Sequence, residues 1–154
     1  MLRRNYAREL QAFALLPLML GAIQAGTMSV VLKKTLTDVP GLSESTLDLL
    51  VAALGASAAF GNITSGVWAA IAHGRAKIRF LVWLICSTSL FAGLLAVVPR
   101  TAGGAYLFVV LIFAAWICWS GVVTIRTAVW RANYPDADRA KIAGRLATVQ
   151  VVVL

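Results

Sequence analysis

The long apolar runs of this sequence have no aspartate or glutamate in their interiors, and the whole chain holds one histidine and two cysteines. Without an acid inside a run, this stretch offers no proton-carrying carboxylate at membrane depth. His73 has no partner at ligand spacing, and Cys86 and Cys118 form no CxxC, so no metal site is expected. Both cysteines fall within apolar runs and are read as free thiols. Nothing resembles a nucleophile–base constellation, a Walker A loop or paired catalytic carboxylates, so neither an enzyme nor a cofactor is expected. Charge is scarce as well. Only 13% of the 154 residues are charged, against about 25% in soluble domains.

Hydrophobic residues supply what is there: 60% of the chain, with a mean hydropathy of +0.85. That balance points to lipid as the solvent. The net charge of +8 comes from 14 Lys+Arg against 6 Asp+Glu. These cations sit at the ends of apolar runs and form no stripe, so nucleic acid is not the expected partner and the bilayer is.

The runs predict an all-α polytopic membrane protein, one partial bundle over residues 1–154 with four spans at about 10–32, 46–72, 80–98 and 105–130. Arg3, Arg4 and Arg8 precede the first run. That run is too long for the roughly 7–15 apolar residues of a signal peptide, so it is expected to stay as a span. Lys33–Glu44 is expected as a polar loop, followed by a capping-box-like start at Ser45. In the second span, Gly55/Ala59 and Gly61/Ser65 lie four residues apart and are expected to mark a face packed against neighbours. Trp83, Tyr106, Trp130 and Tyr134 lie near span ends, where aromatic residues anchor at the interface. A truncated fifth span starts at Leu146, and the chain ends within it, as expected of a fragment.

Four crossings sort the cations. Arg3, Arg4, Arg8, then Arg75, Lys77, Arg79, then Arg126, Arg131, Arg139, Lys141 and Arg145 fall on one side, and Lys33, Lys34 and Arg100 on the other. Basic residues concentrate on cytoplasmic loops, which puts the N-terminus inside a cytoplasmic (inner) membrane protein.

Two stretches carry a resemblance. Pro135-Asp136-Ala137-Asp138-Arg139, followed by Gly144, is similar to the Pro–Arg–Gly pattern between helices 4 and 5 of the major facilitator superfamily. His73-Gly74-Arg75-Ala76-Lys77-Ile78-Arg79 stands in the place of that family's basic loop between helices 2 and 3. There His73 replaces the usual Asp, and Ala69 and Ala76 replace glycines. The chain thus resembles the first four helices and the start of the fifth of such a transporter.

The resemblance implies part of a secondary active transporter that moves a small solute by alternating access, completed by the remaining helices of its parent. The alternative is a small four-helix membrane protein with an assembly or interaction role. The resemblance also implies a cavity lined by helices 1 and 4, for which the candidates are Gln24, Trp116, Trp119 and Arg126. Gln24 serves either the cavity or an interhelical bond. Trp119, Val123, Arg126 and Trp130 share one helical face, either for substrate or for packing, and Arg126 either meets a partner or reaches the headgroups. Neutral His73 leaves the loop latch to Arg75, Lys77 and Arg79, and Pro135, Arg139 and Gly144 form the second loop motif.

Overall fold

A computed structural model describes residues 20–72, 77–134, 140–144 and 148. The described residues contain helices and no strand: α1 (Ala25–Leu36), α2 (Glu44–Ile63), α3 (Ser65–Ala72), α4 (Lys77–Leu94, extended by a 3-10 turn Leu95–Val97) and α5 (Ala102–Asn133). Among them, three helical segments are long and apolar enough to cross a membrane: Glu44–Ile71, Lys77–Val97 and Ala102–Arg131. These correspond to the second, third and fourth expected spans.

The first expected span lies outside the described residues up to position 19, and the remainder is not one continuous helix. The chain turns at Ala22-Ile23, Gln24 is extended (φ −65°, ψ 130°), and α1 restarts at Ala25. Glycines flank the break at Gly21 and Gly26, and glycine pays the most entropy to stay helical. The turn is closed by Ile23 N–H to Leu20 O at 3.1 Å. At the other end α1 runs past Leu32 to Leu36, so Lys33 and Lys34 sit in its last turn and not in a loop. Cations there complement the negative end of the helix dipole.

The helix cap of α2 is Ser43, two residues earlier than expected. Its Oγ accepts from Thr46 N–H at 3.2 Å. Asp48 is then free to pair with Lys33 at 2.9 Å, which ties the end of α1 to the start of α2. The second span is interrupted at Thr64. Thr64 Oγ1 and N–H both donate to Gly61 O (2.6 and 3.1 Å), tightening one turn before α3 begins. After the 3-10 turn, Pro99 ends the third span, and Thr101 caps α5 by accepting from Gly104 N–H at 3.0 Å.

The core is built around α5. Ala105, Phe108, Ile112, Ala115, Trp119, Val122 and Ile125 are buried along it at helical spacing. Onto this stripe α2 brings Leu50, Leu54 and Ser57, α1 brings Leu32, and α4 brings Leu84 and Thr88. The outward faces stay apolar: Ile63 is 78% exposed and Val97 74%. Apolar surface turned outward along these helices is what a lipid environment accepts and water does not.

Of the four small residues expected on a packed face, only Gly61 is buried; Ser65 is exposed like the other pair. Gly55 and Ala59 are exposed and face away from the bundle, whereas Gly61 is buried against α5. A Cβ at Gly61 would lie 2.8 Å from the Trp116 carbonyl oxygen, but one at Gly55 would meet nothing within 4 Å. Both pairs carry the same spacing, and only the tertiary fold selects Gly61 as the position that faces α5.

Candidate functional site

The indole of Trp116 is held by main chain. Its Nε1 donates to Ile23 O at 2.9 Å, the carbonyl left without a helical partner by the break before α1. Trp68 acts in the same way from α3, donating from Nε1 to Ile117 O at 2.8 Å. Gly121 admits that indole, since a Cβ there would come within 3.0 Å of it. Two tryptophan side chains thus bond to main chain of another segment, which ties α3 to α5 and α5 to the turn before α1. Trp119, 7% exposed, belongs to the core.

Gln24 is exposed at the break, and its side chain makes no capping bond to α1. Among the described residues its side chain forms no interhelical hydrogen bond. Arg126 is half-buried and engaged. Trp83 and Tyr106 are exposed, as interface anchors require. Tyr134 departs from that expectation. It is 3% exposed, its ring tilts against Trp130 at 6.0 Å, and its backbone N–H closes on Trp130 O at 3.2 Å.

Of the loop motifs, His73, Arg75, Pro135 and Arg139 lie outside the described residues. Lys77 and Arg79 are exposed in the first turn of α4, and Gly144 is exposed at the end of a helical stretch over 140–144. No acid offsets Lys77 and Arg79 in that turn. Cations at a helix N-terminus oppose its dipole by about 0.3–1 kcal/mol each, so they are not placed there for helix stability. Because α4 and α5 are joined by a tight turn and pack antiparallel, Lys77 and Arg79 share an end of the bundle with Arg131.

A second stripe on α5 escaped the sequence reading. Ser120, Thr124, Thr127 and Arg131 recur at i, i+4, i+7 and i+11, and grade from buried Ser120 to exposed Arg131. The signal is in the sequence, at the same spacing as the neighbouring Trp119–Trp130 face. Thr124 and Thr127 donate back to Ser120 O and Val123 O, both at 2.8 Å. Ser120 is 4% exposed, and among the described residues its Oγ has no hydrogen-bond partner; neither has the buried Nε1 of Trp130. Both are donors on α5, and both can serve a polar group brought to that helix.

Compared with known proteins, the chain matches no family model, no curated sequence and no solved structure.

Proposed function

We propose that this chain forms part of a secondary transporter of the major-facilitator type, moving a small solute across the cytoplasmic membrane by alternating access. In this reading the N-terminus, the His73 loop and the region after Pro135 face the cytoplasm, as the cation distribution favours. The observation that carries the proposal is the Ser120 hydroxyl, unmatched among the described residues, at the deep end of the Ser120–Arg131 stripe. A buried hydroxyl without a partner costs about 1–3 kcal/mol. A helix that tolerates this in the middle of a packed bundle has a use for the donor: a polar solute received near the midplane, between this bundle and the remaining helices. Arg131 and Arg126 lie toward the cytoplasmic end of the same helix and favour an anionic or polar cargo.

The test is accessibility from both sides. Thr124→Cys is introduced into the full chain after Cys86→Ser and Cys118→Ser, and an impermeant maleimide is applied to right-side-out and inverted vesicles. A carrier exposes position 124 to each face in turn, so both preparations label. Labelling from neither face overturns the proposal in favour of an assembly subunit, and labelling from one face only replaces it with a fixed vestibule. Ser120→Ala separates function from folding. Thermal unfolding followed by circular dichroism should show it as stable as the parent or more stable, by up to about 1–3 kcal/mol, because it removes an unmatched group.

A further inference from the structure

At the end of the bundle opposite Lys77 and Arg131, a cleft of about 410 Å³ opens between the α1–α2 connection and the α4–α5 turn. Its lining is Lys34, Thr35, Asp38, Val39, Pro40 and Arg100. Small-molecule sites occupy roughly 300–1,000 Å³.

Local chemistry fixes both walls. On one side, Pro40 and Gly41 (φ 82°) form a type II turn closed by Leu42 N–H to Val39 O at 3.2 Å. On the other, Thr101 N–H donates to Pro99 O at 2.9 Å, holding Arg100 between them. Lys33 is already committed to Asp48. Lys34, Asp38 and Arg100 are not: among the described residues none of them forms an ion pair, although all three line one cleft. Two cations and a carboxylate stand around a shared space without neutralising one another.

We propose that this cleft binds a zwitterion carrying an oxyanion and a primary ammonium, with the oxyanion on Arg100 and Lys34 and the ammonium on Asp38. The guanidinium offers a planar fork that matches phosphate or carboxylate, and lysine adds a point charge. Thr35 Oγ1 spends its proton on Val31 O at 2.7 Å, which leaves lone pairs that accept from an ammonium. Val39 and Pro40 supply the apolar side. Phosphoethanolamine has this chemistry, either as a lipid headgroup at the rim of the helices or as a free solute.

Native mass spectrometry of the full chain, released from nanodiscs of phosphatidylethanolamine, phosphatidylcholine or phosphatidylglycerol, tests it. Phosphatidylethanolamine should be retained about tenfold better than either other lipid, equivalent to about 1.4 kcal/mol. Trimethylation removes the ammonium donors of phosphatidylcholine, and phosphatidylglycerol has no ammonium. Arg100→Gln and Lys34→Gln should abolish that preference, Asp38→Asn should shift it toward phosphatidylglycerol, and Lys141→Gln at the opposite end should leave it intact. Soluble phosphoethanolamine that binds lipid-free protein and displaces the lipid assigns the cleft to a free solute; retention that resists it assigns the cleft to the headgroup. Equal retention of the three lipids with no binding of soluble phosphoethanolamine overturns the proposal, as does a loss in Lys141→Gln equal to that in Arg100→Gln.

Discussion

Gly61 lacks the one atom that would hold α2 away from α5. Its missing Cβ lets the Trp116 backbone approach, and Trp116 in turn reaches across to Ile23. The obstacle to a larger residue is main chain, which cannot swing aside as a flexible side chain would. Gly61→Ala should therefore separate the helices at a cost of about 1–3 kcal/mol, the usual range for overpacking. Gly55→Ala, in open space on the same helix, should be neutral or stabilising by up to about 1 kcal/mol, since it trades glycine for the best helix former. Denaturant unfolding in mild detergent, followed by circular dichroism, ranks the two. Equal effects would remove the close approach as the reason for a glycine at position 61.

At the scale of elements, the spans most legible in the sequence were those with the longest uninterrupted apolar runs. Lys77–Val97 and Ala102–Arg131 end close to the expected limits because Pro99 and the cap at Thr101 leave the chain few alternatives. The joints were less legible. The break at Ala22–Gln24 has no proline within it, and Gly21 is a signal equally consistent with close helix packing. Ser43 and Ser45 both precede the second span, and only the backbone geometry decides which one caps it. The unmatched Ser120 was illegible for a different reason, since a hydroxyl's partners depend on helices distant in sequence. The joint between α1 and α2 yields a pH prediction. The hydrogen bond to Asp48, and then its charge, hold the Lys33 ammonium above the usual lysine range. A raised value in the folded state means that its stabilising contribution is complete below the ordinary lysine pKa and fades as pH climbs through the raised one. The junction should loosen only in strong alkali, read as faster amide hydrogen exchange over residues 36–47, and Lys33→Gln should remove that alkaline step. Both groups are exposed, so salt should weaken the effect.

At the scale of the molecule, α5 is longer than a bilayer core. Its 32 residues extend about 48 Å at 1.5 Å per residue, against a hydrocarbon thickness of about 30 Å. The excess falls at the Arg131 end if Thr101 marks one surface, which places the cations of α4 and α5 together beyond the lipid. Labelling tests the proposed orientation. In a background of Cys86→Ser and Cys118→Ser, Lys77→Cys and Lys141→Cys should react with an impermeant maleimide only after permeabilisation, and Ser45→Cys should react in intact cells. Reaction of Lys77→Cys from outside would reverse the topology and with it the proposed sidedness of transport.

The tie between Trp116 and Ile23 also sets an order of assembly. The two residues are 93 positions apart. At about 5–20 residues per second, a ribosome needs roughly 5–19 seconds to produce the donor after the acceptor has emerged. For that interval the Ile23 carbonyl meets a bilayer or the insertion machinery without its tryptophan, an open circuit that α5 completes. The turn at Ile23 can therefore take its final seat only after the chain as far as Trp116 has been threaded, so this contact closes from the later helix back to the earlier one.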